Sequence, residues 1–281
     1  RVDDDDGVGA LPEPATLRLE LLLLSRYDGD IKRSVVEIVD LNNFEILHTY
    51  KPDINEINSK TDTSREEFKR LLVDKNPKRY LMIHPLIDEY GNLIFQSMSS
   101  PLVKVDYCSD LLWINDEDKF HHGNNFDHDG NYWVPSKGFP FTVNEEIVGK
   151  EDEKFVDDII NKVSPDGKII YQKSVTQILI ENGYAYLLFA QGGKFNKDPI
   201  HLNDIEPVLN DSSYMKTGDV FLSSRHLSMI IHFRPMTNEL INILTGPFYH
   251  PHDVDIISDK EISIFNNNSF YTVKGDKILT N

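Results

Sequence analysis

The feature that most constrains the fold of this chain is a recurring set of short strand-forming runs. Each run is rich in Val, Ile, Tyr and Phe and ends at Gly, Asn or Asp, as in RSVVEIVDL, NLIFQS, GDVFLSSR and EISIFNN. Turn sequences such as EYGN, HDGN and PDGK separate the runs within a set. The sets follow one another at intervals of roughly 40–50 residues, the period of a propeller blade. A β-sandwich also has short strands but rarely repeats one internal order, so the sequence predicts an all-β β-propeller with about five sets of blade strands.

One segment departs from the strand pattern. Residues 64–75 predict a short helical insertion, with Ser64 as its N-cap and Glu67 completing a capping box. The apolar residues that follow fall on one helical face: Phe68, Leu71 and Leu72. Further along, KIIYQKSV and AYLLFA are both interpreted as strands.

The composition excludes several classes of protein. Residues 1–16 are acidic and rich in Gly and Pro, which predicts a flexible arm before a propeller domain at 17–281. The net charge of −17 argues against a nucleic-acid partner, because phosphates need clustered Lys and Arg. The longest aliphatic run, LLLL at 21–24, is too short to span a bilayer. The single cysteine, Cys108, excludes a disulfide framework and a cysteine-based zinc site.

Histidines recur just before the first strand of several sets. They are His84, the pair His121 and His122, His201, and the pair His250 and His252. In a propeller the innermost strands of different blades begin around one channel, so these side chains are expected to converge. A lone histidine beside a strand is usually a hydrogen-bonded structural group. That role is assigned to His48, His84, His128, His226 and His232.

Two kinds of site could use this ring of histidines. A divalent metal would need carboxylates beside the imidazoles. Asp204 and Asp253 are available, but strand alternation is expected to turn them to the opposite face from the histidines. Arg225 offers a planar fork for a tetrahedral anion, and Asn203 offers further hydrogen bonds. The residues therefore favour an anion pocket without a metal.

Six segments in a fixed order resemble a known family. DHDGNYWV, PIHLNDIEPV, DVFLSSRHLSMIIHF, ELINILTG, HPHDVDI and ISIFNNNS are similar in order and spacing to the PAPS-independent arylsulfate sulfotransferases. The resemblance runs from about residue 20 to the end and is densest over 119–270. It implies a six-bladed β-propeller, periplasmic or secreted, that needs no cofactor. It also implies transfer of a sulfuryl group from an aryl sulfate donor to a phenolic acceptor.

The resemblance also assigns roles to residues. It makes His252 the nucleophile, which forms a transient sulfohistidine with ping-pong kinetics. The residues that it implies hold and polarise the sulfuryl group are His122, His201, Asn203 and Arg225. His122 is preferred to His121, although the choice between them stays open. The other expected substrate-binding neighbours are His121, His250 and Tyr249.

The sequence departs from the family pattern at three positions near these residues. Pro251 stands where a glutamine is expected, Asn266 where an aspartate is expected, and Gly123 where the family has an aspartate. These changes put the substrate range in doubt more than the type of reaction. The chain also ends in its fifth set of strands, so a fragment or an unusual closure is expected.

Two other functions remain open at this point. One is a propeller that kept the anion pocket as a binding or scaffolding module, because a fold alone does not imply activity. The other is a metal-dependent hydrolase or lyase propeller, which the scarcity of suitably placed carboxylates disfavours. Homo-oligomerisation and the physiological donor and acceptor also stay open.

Overall fold

Consecutive sets of antiparallel strands form most of the structure. The computed structural model describes residues 20–138, 155–189, 197–272, 274 and 277–279. The arm expected at residues 1–16 lies outside this range.

The first three sets contain the following strands. The first is a sheet in the order β1 (Leu21–Asp28), β2 (Arg33–Asp40), β3 (Ile46–Tyr50). The second is the meander β4 (Ile83–Ile87), β5 (Leu93–Gln96), β6 (Ser100–Val105), β7 (Leu111–Phe120). The third is β8 (Asn125–Phe126), β9 (Tyr132–Lys137), β10 (Asp158–Val163), β11 (Ile169–Ser174). A short pairing of β7 with β9 joins the second and third sets into one continuous sheet.

The last two sets complete the described chain. The fourth is the meander β12 (Leu202–Pro207), β13 (Val220–Ser224), β14 (Met229–Arg234), β15 (Glu239–Leu244). The fifth consists of two hairpins, β16 (Pro251–Ser258) with β17 (Glu261–Asn266) and β18 (Ser269–Tyr271) with β19 (Lys277–Leu279).

Neighbouring sets pack through their first strands. Strand β12 contacts β8 and β9 on one side and β16 on the other, and β1 contacts β4. Each set is therefore a blade whose first strand lies innermost, as in a β-propeller. The predicted fold class is confirmed.

Apolar layers between the blades fix their relative positions. One layer joins the third and fourth blades and includes Ile160, Leu202 and Phe233, all fully buried. Another joins the fourth and fifth blades through Phe221 and Val254. Each buried side chain of this kind stabilises the fold by about 1.5–3 kcal/mol. The starts of the inner strands are thus held at fixed separations.

The helical insertion is confirmed, but it begins earlier than predicted. It contains α1 (Ile54–Ser59), a 3₁₀ turn (Glu66–Phe68) and α2 (Leu71–Asp74). The N-cap prediction for Ser64 is wrong, because Ser64 Oγ donates to Asp62 and the capping residue is Asp53 at the start of α1. The segment is broken into short turns, so no single face forms. Leu72 is accordingly 55% exposed.

The strand predicted for AYLLFA is also wrong. Strand β11 ends at Ser174, whose hydroxyl accepts a hydrogen bond from the Gln177 backbone and caps α3 (Val175–Glu181). A 3₁₀ helix at Ala185–Phe189 follows and buries Leu188. Helix α3 packs against β10 and β11, and the 3₁₀ helix packs against α3, with Leu188 in the same buried cluster. This packing outweighs the β propensity of the aromatic residues. In the described part of the chain, no helix is long and apolar enough to cross a bilayer.

Candidate functional site

A histidine with left-handed backbone geometry begins the inner strand of four blades. The φ angle is +40° at His84, +57° at His122, +52° at His201 and +57° at His250. This geometry costs a non-glycine residue of order 1 kcal/mol or more, so the surrounding structure must enforce it. The four histidines are therefore equivalent positions, as their spacing before each strand indicated.

His252 lies two residues beyond this position. A β-bulge separates Pro251 from Asp253 and carries His252, and a similar bulge between Leu202 and Asp204 carries Asn203. His252 and Asn203 are thus the same position in adjacent blades, at the point where the inner strand starts.

The bulges and turns bring most of the histidines of the chain into one cluster. The ring centroid of His252 lies 5.3 Å from that of His122, which lies 5.6 Å from that of His201. The three imidazoles predicted to act on the sulfuryl group therefore meet, although they come from three blades. The full cluster is His84, His121, His122, His201, His226, His250 and His252.

Two members of the cluster were assigned structural roles from the sequence. His84 is exposed, and its ring is stacked 6.3 Å from that of His252. The His226 ring lies 4.6 Å from that of His201. Their sequence signals were present, since His84 precedes a strand and His226 follows Arg225. The remaining histidines lie elsewhere: His48 stacks on Tyr107, His128 is in the β8–β9 turn and His232 contacts Asp219.

Arg225 supplies positive charge to the cluster. Its Nη1 lies 2.6 Å from His226 Nε2, and its backbone nitrogen donates to the His201 carbonyl. None of the carboxylates in the described part of the chain pairs with its guanidinium. In a chain of net charge −17, a guanidinium that lies among imidazoles and pairs with no described carboxylate is a strong feature of an anion site.

Asp198 is a site residue that the sequence did not reveal. Its Oδ2 accepts a hydrogen bond from His201 Nδ1 at 2.6 Å, and its backbone carbonyl accepts one from His226 Nδ1 at 2.6 Å. With Nδ1 donating, His201 presents Nε2 as its second ring nitrogen. His226 accepts from Arg225 through Nε2, so Asp198 orients both histidines. Only its spacing from His201 in DPIH could have suggested this.

The same three residues have ligand atoms close enough to share a metal ion: Asp198, His201 and His226. Both ring nitrogens of His226 are already engaged, and the guanidinium of Arg225 at its Nε2 would repel a cation. The donor set therefore suits an anion better. A second such group lies at Asp127, His128 and Asp129, where Lys162 already pairs with Asp127 at 2.6 Å.

Burial keeps the central imidazoles neutral at pH 7. It lowers the pKa of His121 to about 3 and that of His122 to about 2. Their Nδ1 atoms lie 2.7 Å apart, so one ring donates a hydrogen to the other. Burial and then the neighbouring His84 lower the pKa of His252, and burial and then Arg225 lower that of His250. A neutral His252 has the lone pair that a nucleophile needs.

Buried amides hold the histidine turns together across blades. Asn203 is 1% exposed, and its Nδ2 donates to the carbonyl of Pro251 at 3.0 Å. The structure thus places the Asn203 amide against the backbone beside His252. In the third blade, Asn124 donates to the His84 carbonyl at 2.9 Å and to Gln96. Gln96 in turn donates to the His122 carbonyl.

A pair of carboxyl groups lies beneath the histidines. Asp204 is fully buried and accepts from Asn125 Nδ2 at 3.0 Å, and its carboxyl is hydrogen-bonded to that of Asp253. Burial is the main cause that raises the pKa of both groups, and the charge of Asp253 raises that of Asp204 further. Gly123 packs against Asp204: a Cβ there would lie 2.2 Å from Asp204 Oδ1. A side chain at residue 123 would therefore displace Asp204.

Tyr249 lies at the mouth of the cluster. Its ring is stacked 3.9 Å from that of His250 and is 41% exposed. All eight residues predicted from the sequence therefore belong to one region of the structure, with Tyr249 at its edge and Asn203 at its base.

Two solved structures show a similar arrangement of the whole chain. One is a protein of unknown function from Bacteroides caccae, with a TM-score of 0.51 and 11% identity, covering 92% of this chain and 72% of that one. The other is the Neurospora crassa Pan2 WD40 domain, with a TM-score of 0.51 and 9% identity, covering 94% of this chain and 57% of that one. At these identities the similarity concerns the propeller fold alone. The curated proteins contain no match to the sequence.

A family model supplies the more specific comparison. The model of the arylsulfotransferase (ASST) family matches residues 89–280, about two thirds of the chain. The matched range contains six of the seven clustered histidines, together with Asp198, Asn203 and Arg225. The chain belongs to the arylsulfotransferase family.

Proposed function

We propose that this protein transfers a sulfuryl group from an aryl sulfate to a phenol through a covalent intermediate on His252. One observation carries the proposal: three imidazoles from three blades meet beside an arginine that no described carboxylate neutralises. Such a pocket fits a tetrahedral anion. Membership in the arylsulfotransferase family supports the type of reaction.

In the first step the neutral ring of His252 attacks the sulfur of the aryl sulfate. An N–S bond forms, and the bond between sulfur and the aryl oxygen breaks with its electron pair leaving on the phenolate. The negative charge on the sulfuryl oxygens is stabilised by Arg225 and by N–H groups of the neighbouring rings. The leaving phenolate takes the Nε2 proton of the imidazolium form of His201, whose Nδ1 hydrogen stays on Asp198.

The second step reverses these roles. The oxygen of an acceptor phenol attacks the sulfur, the S–N bond breaks, and the electron pair returns to His252. His201 accepts the phenol proton on Nε2, while its Nδ1 remains bonded to Asp198. Splitting the transfer in two gives ping-pong kinetics and needs no nucleotide.

The other residues orient this machinery. We assign Asn203 the task of holding the backbone beside His252 through the Pro251 carbonyl. His121 shares a hydrogen with His122 and so sets which nitrogen of His122 faces the substrate. Stacked on His250, Tyr249 offers an aromatic surface to the aryl ring at the mouth.

Incubation with a chromogenic aryl sulfate, with and without a phenol acceptor, tests the proposal. We expect acceptor-dependent release of the donor phenol, loss of that release in His252→Ala, and a sulfo-adduct on the His252 peptide by mass spectrometry. The matched control is His128→Ala, because His128 lies in the β8–β9 turn away from the cluster. Absence of turnover and of the adduct would refute the proposal, and loss of activity on chelation would favour a metal-dependent reaction.

We also propose that the protein works outside the cytoplasm, as the family resemblance implies. Cell fractionation of the native host, followed by immunoblotting, tests this location. Recovery of the protein in the cytoplasmic fraction would contradict it.

A further inference from the structure

A cleft lined by four cationic and three anionic side chains lies at one end of the second blade. It has a volume of about 370 Å³ and is bounded by α2, the β5–β6 turn and the end of β7. Lys75 and Lys119 line it. The β5–β6 turn and the end of β7 lie at the same end of the second blade as His84, so the cleft opens on the face that carries the site.

Like charges are brought together at this cleft. Lys119 lies directly opposite Lys137 where β7 pairs with β9. Such a cross-strand pair of like charges destabilises a sheet. Burial, and then Lys137, lower the pKa of Lys119, and burial is also the main cause that lowers the pKa of Lys75. Three ammonium groups thus share a partly buried region.

The carboxylates that line the cleft form ion pairs with other cations. Glu66 pairs with Lys69, Glu67 with Arg65, and Asp74 with Arg70. Asp158, opposite Lys137 on β10, accepts instead from the Leu202 backbone. The ion pairs among the described residues therefore leave three lysines without a carboxylate partner: Lys75, Lys119 and Lys137.

The chain connects these lysines directly to the histidine cluster. Lys119 is two residues before His121, and the pairing with β9 continues through a hydrogen bond from the His121 backbone to the Pro135 carbonyl. Lys137 is close enough to lower the pKa of His121 and His122. An anion held at the lysines would thus lie next to a group held at the histidines.

We propose that this cleft binds a second anionic group of the substrate. The preferred donor or acceptor then carries a sulfate, sulfonate, phosphate or carboxylate in addition to the sulfuryl group that is transferred. This inference rests on the proposed function, and it gives a role to lysines that form no ion pair with a described carboxylate in a strongly acidic protein.

Binding of stable sulfonates tests the cleft independently of turnover. Calorimetry with flexible α,ω-alkane disulfonates of increasing length is compared with the matching alkane monosulfonates. We expect at least one disulfonate to bind about tenfold more tightly than its monosulfonate, because the second group meets the lysines. Lys119→Gln and Lys137→Gln should each remove most of that advantage. Lys119→Arg should retain it.

The control variant is Lys168→Gln, because Lys168 is exposed and pairs with Asp166 in the β10–β11 turn. It should leave the disulfonate advantage unchanged. The inference is overturned if no disulfonate in the series binds better than its monosulfonate, or if Lys119→Gln and Lys137→Gln keep the advantage. A lysine-dependent advantage without turnover of any aryl sulfate would retain the cleft and refute the proposed function alone. Thermal unfolding of each variant confirms that it is folded.

Discussion

Replacing Asp198 by Asn should slow the proposed reaction without preventing folding. The change removes the negative charge that accepts the 2.6 Å hydrogen bond from His201 Nδ1. It leaves the backbone carbonyl that holds His226 in place. Asparagine has nearly the same shape, so the effect reports the orientation and charge of His201 rather than packing.

The structure sets the expected size of this effect. A hydrogen bond to a charged group contributes roughly 1.5–3 kcal/mol. Both side chains are 29% exposed, so solvent screening favours the lower part of that range. If most of this is expressed in the transition state, kcat falls about 10- to 40-fold, since each 1.36 kcal/mol is a factor of ten.

Steady-state kinetics with an aryl sulfate donor and a phenol acceptor measure the effect. We expect Asp198→Asn to lower kcat with little change in the KM of the donor, and Asp198→Glu to restore part of kcat. The matched control is Asp166→Asn in the exposed β10–β11 turn, which should be silent. A native kcat in Asp198→Asn would refute the reasoning, as would a loss explained entirely by unfolding in circular dichroism.

Three further outcomes are expected. Gly123→Ala should lower the thermal midpoint, because its Cβ would lie 2.2 Å from Asp204 Oδ1, and overpacking of this kind costs about 1–3 kcal/mol; an unchanged midpoint in calorimetry would contradict the packing. Asn203→Ala should destabilise the protein by about 1–3 kcal/mol and reduce activity, because it leaves the buried Pro251 carbonyl without its donor. Urea unfolding measures the loss of stability, and aryl sulfate turnover measures the loss of activity. The control is Asn210→Ala, on the exposed surface. Burial raises the pKa of Glu206 to about 7, so the folded state binds the proton more tightly than the unfolded state. The protonated Glu206 therefore adds to the free energy of unfolding at low pH. That contribution falls as the pH rises from about 4.5 to about 7. Urea unfolding at pH 5 and pH 7 should show a smaller difference in Glu206→Gln than in the native protein, and an equal difference would contradict the assignment.

The blade pattern was predictable because it depends on local signals. Turns such as EYGN and HDGN have Gly91 and Gly130, both with positive φ, as their third residues, and strand propensity between the turns recurs at a regular interval. The interior of the third blade was less predictable. Residues 185–190 have strand propensity, but α3 and the following 3₁₀ helix pack together against the sheet, and that contact is not visible in a local window.

The site was predictable where its residues recur at equivalent places. His122, His201 and His252 precede or begin inner strands, and Arg225 directly follows the second strand of the fourth blade, so the pattern indicated them. Asp198 was not revealed, because its role depends on a hydrogen bond across a turn. The grouping of the three lysines was equally hidden, since Lys75, from the helical insertion, and Lys119, from β7, each come near Lys137 only in the folded chain.

The repeated left-handed turn has a consequence for how new activities could arise on this scaffold. Each of the four histidines with positive φ is followed two residues later by a residue at the equivalent position of its blade. These residues are Leu86, Asn124, Asn203 and His252. At this position one blade has an apolar side chain, two have buried amides and one has the proposed nucleophile. Exchanging the side chains at these four positions would move the proposed nucleophile from one blade to another around the channel. Such exchanges would need no change in the backbone.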